Sequence, residues 1–400
     1  MQQSAVPEHL VAPAQQHAAP NESSQPPGSA AATPTAATPT AATPVAAGTR
    51  AEGAATTADA PPTPRPGRFY ALDALRGLAI ALMVFVDWAG NSSLPPAFAH
   101  SDWNGLTLAD TVFPGFMVAM GTAMPYATRT GWRRAFGRAI LLYLIGSAVV
   151  SYKYGLVFGL YPGILQMLGV SYLLTWLITR LPRPVHFAIV AALMAGISAA
   201  YLWVNTPGAP AGSFAEGANL AEWFDGVLHF TPAPENPHAW VTAVGSVYIG
   251  VIAGEIAKAT TGWRRRGWLT VLGVTTMALG YLLSVVIPIN KHLWTPSYVL
   301  VTGGMAVCAL VVLSLLIPPG SKGGPLRPLV VLGGHAIVVY IFSETVIGHA
   351  RTQWLWPTWE PIVTERYGEL AAGVAYPLGA VLVCIALAWT MELLKIRVRL

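Results

Sequence analysis

From residue 70 onward the sequence is a succession of apolar runs, each about twenty residues long and each closed by a short polar interruption. A helix rises about 1.5 Å per residue, so a run of that length crosses a hydrocarbon layer roughly 30 Å thick. Inside lipid, only a helix or a closed barrel satisfies its own backbone. Ten runs read as transmembrane helices, at 70–89, 108–128, 137–152, 162–179, 185–204, 239–258, 268–287, 297–317, 328–348 and 370–394. The third is short and is expected to continue irregularly towards Leu160. Composition supports the assignment: only 10% of the residues are charged, against about 25% in a soluble domain. The expected fold is all-α and polytopic.

Basic residues fix an orientation independently of hydropathy. Loops on one side, with both chain ends, hold nineteen of the 23 Lys and Arg. They are Arg50, Arg65, Arg68 and Arg76, then Arg129, Arg133, Arg134 and Arg138, then Arg180, Arg183, Lys258 and Arg264–Arg266, then Lys322, Arg327, Lys395, Arg397 and Arg399. The opposite loops hold Lys153, Lys291, Arg351 and Arg366. Because positive loops stay in the cytoplasm, both termini are expected there and His100 outside. The net charge of +5 is this loop bias, and it gives no ground for a nucleic-acid partner.

Residues 1–66 are rich in Ala, Pro, Thr and Gln, with the repeat AATPT-AATPT-AATPV. Such a segment has too little large apolar surface to fold, so a disordered cytoplasmic tail is expected, followed by one membrane domain over 67–400. The tail holds no hydrophobic segment of the kind a secretory signal requires. Cys308 and Cys384 lie inside apolar runs and read as packing residues. The histidines are too scattered to suggest a metal site.

The stretch from His100 to Pro114, HSDWNGLTLADTVFP, is a polar loop wedged between two spans. A histidine there transfers protons near neutral pH. Asp87, Asp102 and Asp110 lie within thirteen residues of it, and a His–carboxylate pair is how an imidazole is oriented for general-base work. Spacing leaves open which aspartate serves. Thr107 and Asp110 also read as a helix-start cap without catalysis. In the first run, Arg76 and Asp87 are eleven residues apart, close to three turns, so they share one stripe about 16 Å long. Ionisable groups at both ends of one span suggest a polar path, although Asp73 and Arg76 also form a plausible helix-start ion pair. A second polar segment, Asn290-Lys291-His292-Leu-Trp294, sits on the same side as His100. Amide and ammonium donors beside aromatic rings suit a sugar, and interfacial anchoring explains the aromatics equally well.

The stretches Leu72-Asp73-Ala-Leu-Arg76-Gly77, His100 to Pro114, Pro162-Gly163-Ile-Leu-Gln166, Asn290 to Tyr298 and Gly333 to Tyr340 resemble, in order, the heparan-α-glucosaminide N-acetyltransferase family of transmembrane acyltransferases. The resemblance spans roughly residues 68–394, and its His100 segment is highly specific. It implies transfer of an acetyl group from cytoplasmic acetyl-CoA to an amino sugar across the membrane, with the family's active-site histidine at His100. It also places Asp87 where the family has an asparagine, Met167 where a basic residue usually follows the Gln166 position, and His335 where an asparagine stands near the ninth helix.

The expectation is therefore an acyltransferase of the cell membrane that uses acetyl-CoA or a related acyl-CoA, with no metal. Its acceptor is an amine or hydroxyl of a glycan or glycolipid. His100, Asp87 and Asp110 are the catalytic candidates. Arg76, Arg133, Arg134 and Gln166 are the candidates for holding CoA, whose phosphates suit guanidinium groups. Trp103, Asn104, Asn290, Lys291 and Trp294 are the candidates for the acceptor. Membrane lipids, and a second copy of the chain, are the remaining expected partners. A secondary transporter or flippase is the rival, since many helices with embedded carboxylates fit one too.

Overall fold

The computed structural model describes residues 69–89, 95–127, 130–228, 237–318, 321–396 and 398, all within one unit that spans Pro64–Leu400. The disordered tail expected over residues 1–66 lies outside the described residues, as do Arg129, His229, Arg397 and Arg399.

Each of the ten apolar runs is helical, the ninth in separate pieces. First come α1 (Tyr70–Asp87), α2 (Val112–Ala123), α3 (Trp132–Lys153), α4 (Ile164–Ile178) and α5 (Arg183–Trp203). A two-stranded hairpin, β1 (Phe214–Ala215) and β2 (Ala218–Asn219), and the short α6 (Leu220–Leu228) separate α5 from α7 (Ala239–Ala259). Then come α8 (Gly262–Leu283), α9 (Pro296–Leu316), α10 (Arg327–Gly334) and α11 (Ala336–Phe342). The chain continues through a π-helical turn (Ser343–Ile347), α12 (Gly348–Ala350), a second π-helical turn (Arg351–Leu355), α13 (Trp356–Tyr367) and α14 (Glu369–Leu393).

Among the described residues, α3, α5, α7, α9 and α14 are long and apolar enough to cross a membrane, and a sixth span is added if the bent α10–α13 path counts as one. The others are shorter or more charged: α1 carries Asp73, Arg76 and Asp87, and α4 has 15 residues. Two helices begin earlier than hydropathy suggests. α3 starts at Trp132 rather than 137, and α8 at Gly262 rather than 268. Their first turns hold Arg133 and Arg134, or Arg264–Arg266; arginine is a good helix former that an apolar count overlooks. The expected span 328–348 is not one helix. It breaks at His335 with a bend of 68°, directly after Gly333-Gly334, where the helix is cheapest to interrupt.

Helix α1 lies at the centre, packed against α2, α9, α10 and α14, while α2 packs on α7, α3 on α4 and α8 on α9. The α1–α10 crossing depends on two glycines. A methyl group at Gly77 would overlap the Leu329 carbonyl oxygen, and one at Gly333 would overlap the Asp73 carbonyl oxygen. Close backbone approach through small residues is how helices associate in lipid, where burial of apolar surface gives no net drive. The core between these helices holds Val84, Met117, Met167, Leu310 and Leu332. Cys384 is buried within it, and Cys308 packs against the Gly273 backbone.

Candidate functional site

Two loops far apart in the chain close over the His100 end of α1, α2 and α9. The Gly105 N–H donates to the Ile289 carbonyl at 2.8 Å, and Gly105 has φ of 121°, a conformation side chains disfavour. The Asn290 amide donates to the Asn104 side chain at 3.1 Å and accepts from the Leu293 N–H at 2.7 Å. The Tyr298 hydroxyl donates to the Asp110 carbonyl at 2.5 Å. Trp103 stacks on His292, ring centroids 5.2 Å apart, and its indole N–H donates to the Phe214 carbonyl at 2.7 Å. Burial and the neighbouring Lys291 ammonium push the His292 imidazole down from its ordinary value, so His292 is a neutral stacking partner.

This frame sets the geometry of one pair. His100 Nδ1 lies 2.8 Å from Asp110 Oδ1. The other carboxylate oxygen accepts the Thr107 N–H (3.0 Å), the Thr107 hydroxyl (3.0 Å) and the Ser101 N–H (3.2 Å). Asp110 thus ties the loop to the start of the short 3-10 turn before α2 while it pairs with His100. An ionised carboxylate only accepts hydrogen bonds, so Nδ1 carries a proton, and in the neutral imidazole the lone pair is then on Nε2. The Asp110 side chain is fully shielded from solvent, whereas that of His100 is 41% exposed. Lys291 Nζ lies against the ring, 3.2 Å from Nδ1 and 3.4 Å from Nε2. An oriented imidazole beside an ammonium can accept a proton while the ammonium stabilises a developing oxyanion.

His100 and Lys291 open onto a cavity of about 130 Å³ with Asp87 and Tyr340 as its other polar walls. The remaining lining is apolar, from Ile80, Met83, Phe113, Phe116, Leu165 and Ile337 among others. The end of α1 is anchored to the broken helix: the Trp88 indole N–H donates to Ser343 Oγ at 2.8 Å, and the Trp88 ring packs on Gly348. Next to it, Lys153 Nζ and Glu344 form an ion pair at 2.8 Å. Glu344 projects from the first π-helical turn, a type of irregularity frequent at functional sites.

At the Arg76 end of α1 lies a second cavity of about 330 Å³, lined by Arg76, Arg138, His335 and Gly333-Gly334. It shares Phe116, Leu165, Leu168, Ala336 and Ile337 with the His100 cavity, so these side chains form a thin apolar septum between the two. A third cavity of about 590 Å³ adjoins it at Met120 and Arg138 and adds Tyr172, Trp176, Arg180, Arg183 and Lys258. There the Arg138 guanidinium lies 4.6 Å from the Tyr172 ring centroid, and that of Arg180 4.5 Å from the Trp176 ring. Arg138 Nε and Trp176 Nε1 are buried with no hydrogen-bond partner among the described residues. Guanidinium groups beside aromatic faces suit a purine and its phosphates.

The residues singled out from sequence divide into groups. His100, Asp110, Asp87 and Lys291 come together at one cavity, and Arg76 stands at the other end of the α1 stripe. Trp103, Asn104 and Asn290 brace the two loops, and Trp294 is fully buried against Phe113 and Tyr298. Gln166 is also fully buried, donating to the Tyr161 carbonyl at 2.8 Å. Arg133 and Arg134 are exposed and line none of these cavities. Asp73 pairs with Arg76 at 3.6 Å, so the helix-start ion pair and a place for Arg76 at the second cavity coexist. Sequence reasoning missed the roles of Arg138, Tyr340 and the Lys153–Glu344 pair in this arrangement. A basic residue at an apolar helix position was the available signal for Arg138.

A mostly helical chain with several membrane-length apolar helices and a histidine–carboxylate pair at the mouth of a cavity has the build of a multi-pass membrane protein. The family model "Heparan-alpha-glucosaminide N-acetyltransferase, catalytic" matches residues 68–284, and the chain belongs to that family. It is 28% identical over 372 residues to the human heparan-alpha-glucosaminide N-acetyltransferase, covering 72% of this chain and 54% of the relative. The mouse protein of the same name is 27% identical over 371 residues, covering 72% and 55%. The chain thus spans about half the length of these relatives.

Proposed function

We propose that the protein is a transmembrane acyltransferase of the cell membrane. It moves an acetyl or related acyl group from cytoplasmic acyl-CoA to a sugar or glycolipid on the outer side. In this reading the ten helices span the bilayer, both termini are cytoplasmic, and residues 67–400 form the acyltransferase domain. The observation that carries it is the arrangement of cavities: one bears the His100–Asp110 pair, the other bears Arg76 and Arg138, and an apolar septum joins them. The relatives' name supports acetyl transfer to an amino sugar.

Arg138, Arg180, Arg183 and Lys258, with the faces of Trp176 and Tyr172, would hold the nucleotide end of the donor. Its narrow acyl-bearing arm would pass Arg76 and the septum to reach His100. Catalysis then follows from the chemistry of the site. His100 Nε2 accepts the proton that the acceptor loses as it attacks the thioester carbonyl. The Lys291 ammonium stabilises the oxyanion that forms. Asp110 holds the tautomer and stabilises the resulting imidazolium. The apolar walls of the cavity lower the local dielectric, which strengthens each of these interactions.

The test is a two-compartment assay. Protein reconstituted in liposomes, oriented and with labelled acetyl-CoA only on the Arg76 side, should label an amino sugar supplied only on the His100 side. Labelling only when donor and acceptor share a compartment would reject transfer across the membrane.

A further inference from the structure

Among the described residues, every charged group around the His100 cavity except one has a partner. Lys153 is paired with Glu344 at 2.8 Å, and His100 with Asp110 at 2.8 Å, and Lys291 leans on the His100 ring. Asp87 has no hydrogen bond or ion pair among the described residues, and its carboxylate is open to the cavity. Glu344, Lys153, His100 and Lys291 are the charges that act on it. Counted together, three carboxylates face two ammonium groups when His100 is neutral, as a base must be. The site is one positive charge short. Because Asp87 is exposed to the cavity, an ammonium that enters can reach its carboxylate and form a charge-assisted hydrogen bond. Asp87 was a candidate for orienting His100, but Asp110 already fills that place on Nδ1.

We propose that Asp87 binds the acceptor's ammonium group and takes its first proton, leaving His100 for the second. This rests on the acyl-transfer reading above. An amino sugar arrives largely as its ammonium, which has no lone pair. One proton passes from nitrogen to the Asp87 carboxylate, which frees the lone pair. The nitrogen then bonds to the thioester carbonyl carbon, and the carbon–sulfur bond breaks. The second nitrogen proton goes to His100 Nε2 and from there to the CoA thiolate. The Asp87 proton leaves to water with the product, so one ammonium and one thioester become one amide, one thiol and one released proton. An asparagine at this position can hydrogen-bond the amine but cannot accept that first proton. Asp87 would therefore distinguish this chain from family members that carry asparagine, and it would favour amines over hydroxyls.

The experiment compares methyl glucosaminide with methyl glucoside as acceptors for the full chain in detergent, with acetyl-CoA as donor. Wild-type protein should acylate the glucosaminide and leave the glucoside nearly untouched. Asp87→Asn should lower kcat/KM for the glucosaminide by about ten- to a hundredfold, the range of one charge-assisted hydrogen bond, with KM for acetyl-CoA unchanged and the loss shrinking at higher pH, where the acceptor arrives as free amine. Asp87→Glu should restore part of the loss. Two results overturn the proposal while leaving acyl transfer intact: Asp87→Asn with an unchanged kcat/KM for the glucosaminide or a loss independent of pH, or wild-type protein that uses both sugars equally. Wild-type protein that acylates neither sugar would overturn the acyl-transfer reading, and the role of Asp87 with it.

Discussion

Replacing Asp110 by asparagine changes almost no volume and yet should inactivate the site, for a reason that can be worked from the hydrogen bonds. One carboxylate oxygen accepts three donors, the Thr107 N–H, the Thr107 hydroxyl and the Ser101 N–H. The other faces His100 Nδ1 at 2.8 Å. An asparagine must keep its carbonyl oxygen on the side of the three donors, since its NH₂ group cannot accept from them. The NH₂ then faces Nδ1, which can only accept, so the imidazole proton moves to Nε2. The lone pair that would take the acceptor's proton is lost. In a serine protease triad the same substitution inverts the tautomer and lowers kcat about 10⁴-fold. A fall in kcat of about 10²–10⁴ is expected here, with KM for acetyl-CoA unchanged. The assay is acyl transfer from radiolabelled acetyl-CoA in detergent, together with ¹⁵N NMR of labelled histidine to read the tautomer. Near-normal turnover would refute the orienting role. So would lost turnover with the Nδ1–H tautomer still in place.

The remaining predictions follow from packing, charge and topology. Lys153→Met should lower the melting temperature more than Glu344→Gln, because it strands a carboxylate only 5% exposed, whereas the lysine left behind is 46% exposed; equal shifts would contradict this. Arg138→Ala should raise KM for acetyl-CoA about tenfold, while Arg133→Ala changes it little, and steady-state kinetics on the two variants decides. Gly333→Val should destabilise the protein by about 1–3 kcal/mol or more through overlap with the Asp73 backbone, read by thermal unfolding in detergent. With Cys308 and Cys384 replaced, a cysteine at position 215 should label from outside intact cells and one at 264 only after permeabilisation; the reverse would invert the proposed orientation.

Much of the helical layout was legible because a bilayer-length apolar run admits few other structures. Boundaries slipped where arginines extend a helix beyond its apolar part, as at Trp132 and Gly262. The break at His335 was not foreseen, since a 68° bend depends on what α10 and α11 pack against. At the site, His100 and Asp110 were legible because they lie ten residues apart in one loop. The choice of Asp110 over Asp87 was not, as it depends on a loop closed by Asn290, Tyr298 and Ile289 from far along the chain. The same long-range closure explains Trp294 and Asn290. Their residue types suit a sugar, but both are fully buried, and Asn290 binds its own loop and Asn104. Lys153 and Glu344 are 191 residues apart, and no local pattern links them.

The central claim is that acyl transfer depends on the His100 imidazole, and the most direct measurement is single-turnover transfer by His100→Ala. The side chain packs loosely, 41% exposed, so the variant should melt within a few degrees of wild type and still bind acetyl-CoA. The account predicts a rate of acetyl transfer to methyl glucosaminide lowered by about 10²–10⁴. A folded His100→Ala protein that transfers acetyl at close to the wild-type rate would contradict it.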